Sequence, residues 1–180
     1  MPHLTRMTPR ILASASLLAT LLAAAPLAAQ APAAAAPTFD PAADRAAALA
    51  VVKRLFDAMR AGDSATVRAV FHPQALLSSA LVGRDGTPQV RVDSLASFVR
   101  AVGTPHAEVW DERISGEIVQ VDGPMATVWT RYAFYAGTKF SHCGVDAFTL
   151  ARTGTEWRIL ALTDTRQRTG CPEQAAGAAR

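Results

Sequence analysis

Much of what announces a chemistry is missing from this sequence. It has no glycine-rich phosphate loop and no Gly-x-Ser-x-Gly elbow, so nothing points to nucleotide phosphates or to an α/β-hydrolase nucleophile, and no cofactor is expected. Histidines are few. His3, His72, His106 and His142 show no ligand spacing, so no metal site is expected. No apolar run reaches the roughly 18 residues of a membrane-spanning helix. An excess of one charge is also absent from the body of the chain. The total is 18 Lys+Arg against 15 Asp+Glu, and leaving out Met1 to Gln30 removes only Arg6 and Arg10. The remaining 16 basic groups against 15 acidic give no clustered basic face, which argues against a nucleic-acid partner.

What is present begins with a compartment. Arg6 and Arg10 precede an apolar run from Ile11 to Ala25, followed by the small residues Ala28, Ala29 and Ala31. Basic, apolar, then small is the order of a secretory signal peptide, expected over 1–30, with cleavage between about Ala28 and Pro32. No cysteine lies near that point, which excludes a lipoprotein anchor there. The expectation is a periplasmic or secreted protein with no stable membrane span in its mature form. In such a compartment Cys143 and Cys171, the only cysteines, are candidates for one disulfide. The low-complexity "APAAAAP" makes residues 31–39 a flexible lead-in. One domain is expected over 40–172, with a disordered tail over 173–180.

Helix signals come first. Asp40-Pro41 supplies a cap residue and a proline at the first helical position. Leu49, Val52, Phe56 and Met59 then recur at helical spacing, and Gly62 stops the run. Asp63 caps a short second helix that ends at His72-Pro73. A strand through Ala75 to Val82 and the turn-rich "GRDGTP" follow, and Asp93 or Ser94 caps a third helix ending at Gly103. From Val109 the period becomes two. Four strand-like runs are separated by turns at Asp122-Gly123, Gly137-Thr138 and Gly154-Thr155, a four-stranded antiparallel meander. Helices followed by a curled sheet make an α+β domain.

With this order of elements, "FDAMRAGDSATVRAVFHPQALL" (Phe56 to Leu77) and "EWRILAL" (Glu156 to Leu162) resemble the nuclear transport factor 2-like or SnoaL-like superfamily. The "FSHCGVDAF" strand is more like its lumazine-binding-like exported branch. The resemblance covers nearly all of Asp40 to Pro172. It implies a cone-shaped fold in which a strongly bent sheet wraps around the helices and leaves a pocket, and it implies no single activity. Ketosteroid-isomerase-like members use a tyrosine on the first helix and an aspartate on the strand after the second. Leu55 and Ser79 stand at those places and cannot do that chemistry. For the Asp-Arg-Asp set of epoxide-hydrolase-like members, Arg131 and Asp146 supply two parts and no second aspartate is evident.

Turn geometry sets the expected site. Two-residue loops pair Val121 with Pro124, Ala136 with Lys139 and Thr153 with Glu156, and carry Arg131 opposite Gly144, diagonal to His142 and Asp146. One face then holds Trp110, Glu112, Ile114, Ile118, Trp129, Arg131, Tyr135, Phe140, His142, Asp146 and Phe148. The site expected to bind a small organic molecule is Trp110, Trp129, Arg131, Tyr135, His142 and Asp146, with Arg131 meeting an anionic or carbonyl group. The opposite face, with Val119, Val121, Val128, Tyr132, Val145, Leu160 and Leu162, suggests a homodimer surface. Asp164 beside Arg166 reads as a solvated strand end. Three functions fit this layout. The first is a small-molecule binder; the second is a hydrolase or lyase with His142 or Asp146 as base and Arg131 as charge stabiliser; the third is a protein-interaction module with a vestigial pocket. An Arg131–Asp146 pair, a strand histidine and core tryptophans would also serve a purely structural interior.

Overall fold

The computed structural model describes residues 38–172. The expected signal peptide, most of the lead-in and the tail lie outside the described residues. Helix α1 (Pro41–Ala61) starts where Asp40 accepts hydrogen bonds from the amides of Ala42 and Ala43, and stops at Gly62, whose φ of 68° is left-handed. Asp63 caps α2 (Ser64–Val70) by accepting from the Thr66 amide. After β1 (Phe71–Val82) and β2 (Pro88–Asp93), Ser94 caps α3 (Leu95–Gly103). These ends follow from side chains that accept from otherwise unpaired amides. Four long strands complete the domain: β3 (Trp110–Asp122), β4 (Met125–Ala136), β5 (Lys139–Thr153) and β6 (Glu156–Thr165).

The sheet has six strands in the order β2-β1-β6-β5-β4-β3. The expected meander supplies four of them. The β1–β2 hairpin extends it, with β1 running parallel to β6. The α+β architecture is as expected: three helices lie against a curled, open, mixed sheet. The helices cover its concave face, where Val52, Leu55 and Phe56 of α1 pack with Val128, Phe148 and Leu150. Phe56 meets the edge of Phe148 with centroids 6.0 Å apart, and burying each such ring contributes roughly 1.5–3 kcal/mol. Asp44 near the start of α1 is tied to the sheet by Arg152 at 3.0 Å and by the Trp157 indole at 3.4 Å.

Two of the three hairpins have the expected loops, pairing Ala136 with Lys139 and Thr153 with Glu156. At the first, Asp122 pairs with Met125 around Gly123-Pro124. The larger departure lies within the strands. Register shifts fall between Ser115 and Ile118 in β3, at Ser141 in β5 and at Leu160 in β6. Each inserted residue bends its strand and reverses which parity faces inward. Beyond Ser141 the pairing therefore becomes Phe134 with His142, Tyr132 with Gly144, Thr130 with Asp146 and Arg131 with Val145.

The disulfide is formed between Cys143 and Cys171, whose Cα atoms are 5.9 Å apart. Cys143 also exchanges backbone hydrogen bonds with Gln167, so the segment after β6 is held along β5. Closing this loop of 28 residues contributes roughly 3 to 4 kcal/mol on the chain-entropy account.

Candidate functional site

Between α1, α3 and the concave sheet face lies a cavity of about 470 Å³. Its walls are apolar: Leu55, Phe56 and Met59 come from α1, Phe98 and Ala101 from α3, and Trp110, Phe134 and Leu162 from the sheet. Its floor is polar, because one row of register partners crosses the sheet through Asp146, Asp164, Ser79 and Arg91. A second row, Glu112, Phe134 and His142, lies nearby on the same face.

Each polar group on this floor is held differently. Asp164 accepts from the hydroxyls of Ser79 and Tyr132 and pairs with Arg166 at 3.4 Å. Tyr132 also donates to the Thr165 carbonyl at 2.8 Å. That reach depends on Gly144, since a Cβ there would come within 1.9 Å of the Thr165 oxygen and 2.8 Å of the tyrosine ring. Burial, then the Asp164 charge, raises the Tyr132 phenol above its ordinary range. The Arg166 guanidinium stays firmly charged, because Asp164 and Tyr132 outweigh the cost of its burial.

His142 stacks on Phe134 at 4.9 Å, and its Nδ1 meets the Ser141 hydroxyl at 3.0 Å. Burial, reinforced by Arg166, pushes it down to about 4. It is a neutral imidazole at physiological pH.

Asp146 has the least support. It is only 2% exposed, faces Asp164 directly across the strand pair, and leaves Oδ2 buried without a hydrogen-bond partner. Its carboxyl lies within hydrogen-bonding reach of Glu112. Burial, then the charges of Glu112 and Asp164, raises Asp146 well above the carboxylate range. Burial likewise takes Glu112 up to about 7, with Asp164 adding to the rise. Ionising both would place like charges together in a poorly solvated space, so the pair favours a state that keeps a proton.

The expected site residues separate into two groups. Trp110, His142 and Asp146 do line the cavity. Arg131 and Trp129 do not: Arg131 is exposed opposite Val145, and Trp129 is 51% exposed opposite Ala147. Tyr135 pairs with Asp111 and Phe140, away from the cavity, with Arg113 over its ring at 4.1 Å. The bulge at Ser141 is the physical reason, because it puts His142 and Asp146 in phase with Thr130, Tyr132 and Phe134 instead of Trp129 and Arg131. The expected outer patch is corrected too, by the bulges in β3, β5 and β6 together, although Val145 stays opposite exposed Arg131. Val119, Val121, Val128, Tyr132 and Leu162 pair among themselves and with core residues on the concave side. Asp164 belongs to the floor of the cavity and is no solvated strand end. Glu112, Tyr132, Asp164 and Arg166 were missed as site residues, although carboxylates at inward parity in apolar strands were a usable signal. Leu55 and Ser79 do line the cavity, and neither is ionisable. Among the described residues no group of three or more His, Cys, Asp or Glu is arranged to hold a metal, and no helix is long and apolar enough to cross a membrane.

Comparison with known proteins agrees with this architecture. The family model described as "Putative lumazine-binding" matches residues 43–163. No curated protein matches the chain. Solved structures similar to it include an NTF2-like protein of unknown function from Shewanella baltica OS155, at 13% identity and TM-score 0.56, covering 73% of this chain and 100% of that one. Another is an NTF2-like protein with a cystatin-like fold from Novosphingobium aromaticivorans, at 15% identity and TM-score 0.57, covering 75% and 88%. A third, an NTF-2 like protein of unknown function from Silicibacter pomeroyi DSS-3, is 22% identical with TM-score 0.53, covering 70% and 98%. At these identities the likeness is one of fold.

Proposed function

Since this chain belongs to the "Putative lumazine-binding" family and has a nuclear transport factor 2-like fold, we propose that it is an exported protein that binds a small organic molecule in its cavity. The observation that carries this reading is the cavity itself: about 470 Å³ with apolar walls and a polar floor that includes an unpartnered buried oxygen of Asp146. Ligand sites commonly combine such apolar enclosure with a few convergent polar groups. Arg166, not Arg131, is the cation at the cavity floor, and it is engaged by Asp164. Native mass spectrometry of protein purified from its own source tests the reading. The expected result is a carried mass of a few hundred daltons that is lost on denaturation and lost again when Leu55→Trp fills the cavity.

Export is supported by the signal-like N-terminus and by the Cys143–Cys171 bond. N-terminal sequencing of the protein from its source should begin between Ala28 and Pro32, and a chain starting at Met1 refutes export. A homodimer through the convex face is supported by Val92, Trp129 and Ile118, exposed apolar residues in one row across the sheet. Light scattering at micromolar concentration reads it directly.

A second reading, acid–base catalysis, rests on the Glu112–Asp146 pair. A carboxyl pair that shares one proton holds a donor and an acceptor side by side. In that reading Glu112 and Asp146 exchange a proton with the substrate, while neutral His142 supplies a hydrogen bond.

A further inference from the structure

The apolar row on the convex face has nothing in the structure to say what covers it. The open hollow between α1 and β3 around Lys53, Arg60 and Glu117 is a set of exposed ion pairs. The floor of the cavity differs from both, because it gathers several ionisable groups in a buried space.

The groups facing Asp146 can be taken element by element. From β3 comes Glu112, from β4 Tyr132, from β5 itself His142, and from β6 and the residues after it Asp164 and Arg166. The linings from α1 and α3 are uncharged, and β2 supplies Arg91 and Asp93, which bond each other at 3.0 Å. Arg166 is committed to Asp164, and His142 is neutral. Apart from that Arg91–Asp93 pair the floor has three carboxyls and one cation, itself engaged by Asp164, and Asp146 Oδ2 is buried with no hydrogen-bond partner. A buried carboxylate oxygen without a donor is costly. Either a proton or a ligand cation must meet that cost.

We propose that the ligand is an organic cation of the amidine or amine type with a flat apolar body, its N–H groups donating to Asp146 and Glu112 and its body lying between Trp110, Phe134 and Phe98. The inference rests on the binding reading above and names the chemical class that the cavity takes. An amidinium presents parallel N–H donors that match paired carboxylate oxygens, and the aromatic walls favour a cation near their faces. Binding releases the proton that Glu112 and Asp146 share in the empty cavity, so affinity rises with pH. A neutral ligand would release none.

Isothermal titration with benzamidine, its neutral isostere benzamide and anionic benzoate, at pH 6 and pH 8 in two buffers of different ionisation enthalpy, tests the assignment. Benzamidine is expected to bind more tightly than benzamide by roughly tenfold or more at pH 8, with weaker binding at pH 6 and release of up to about one proton. Asp146→Asn and Glu112→Gln, each checked for fold by circular dichroism, should reduce the pH dependence and the preference for benzamidine over benzamide. Benzamide or benzoate binding as tightly as benzamidine at pH 8 overturns the cation assignment and leaves the binding reading standing. Failure of all three probes, together with no carried mass in the native spectrum, overturns both.

Discussion

Two aspartates in this domain are almost equally buried, Asp44 at 5% exposure and Asp146 at 2%, and their surroundings are opposite. Each leaves one carboxylate oxygen without a hydrogen-bond partner. Asp44 faces a cation, Arg152, at 3.0 Å, and an indole donor. Arg152 is itself tied to the Thr38 carbonyl at 3.3 Å and lies 5.4 Å from the Phe39 ring. Asp146 faces two further acids, Glu112 and Asp164. A carboxylate beside a cation is part of the scaffold. A carboxylate beside carboxylates is held protonated until something replaces the proton. Burial alone does not separate structural charge from functional charge; the neighbour does.

Breaking the scaffold pair should have the largest effect. Asp44→Ala leaves Arg152 partly buried without its anion, and a loss of about 3–5 kcal/mol is expected in urea unfolding. Asp44→Ala combined with Arg152→Met should recover part of that loss in a double-mutant cycle. Recovery of nothing would mean that the pair does not act as a unit.

The histidine on the floor sharpens the comparison through pH. His142 takes up a proton near 4 in the fold, against an ordinary 6.5. Its folded value is depressed, so the unfolded chain binds the proton first and stability falls as pH drops from about 6.5 to 4. That loss amounts to at most about 3 kcal/mol over the interval, and to less where solvent screens the ring. His142→Gln should flatten this part of a Tm-against-pH curve, even if lost stacking on Phe134 lowers the whole curve.

Asp146→Asn should act in the opposite direction and more weakly. Glu112 is raised from 4.5 to about 7, and Asp146 is raised by the same burial and crowding. The fold therefore holds protons that the unfolded chain has already released, and stability declines as pH rises from about 4.5 to 7. Asparagine at 146 removes one acid from the crowd. The variant should exceed wild type by on the order of 1–2 kcal/mol at pH 8, and the difference should vanish toward pH 4.5. The same substitution in a scaffold carboxylate would destabilise at every neutral pH.

The smallest effect is expected at Arg131. It is exposed on the convex face, so Arg131→Ala should change stability by less than about 0.5 kcal/mol and leave ligand binding unaltered. A large loss of binding would mean that Arg131 acts on the cavity from outside it.

Local signals made much of the molecule legible beforehand. Asp40, Asp63 and Ser94 accept from exposed helix amides, Gly62 takes the left-handed conformation that ends α1, and two glycine turns fix their hairpins. All of this depends on residues within a few positions of one another. The strand pattern also put Trp110, His142 and Asp146 on one face, and all three line the cavity. Trp129, Arg131 and Tyr135 were misplaced because pairing was extrapolated from the turns across strands that contain bulges. Gly116 hints at the interruption in β3, but Ser141 and Leu160 are ordinary strand residues.

What the sequence alone determined is therefore local and pairwise: the helix limits, the turns, the α+β order, and a cysteine pair with one possible partnership. The tertiary structure decided phase and company. A bulge forms where a curled sheet must bend around helices, and that stress is set by the packing of α1 and α3 rather than by the bulged residue. The same curl gathers Glu112, Asp146, Asp164 and Arg166 from three strands and the segment after them. The carboxyl pair exists only once the sheet is closed over the cavity, because its shared proton depends on distances between chain segments that no local pattern encodes.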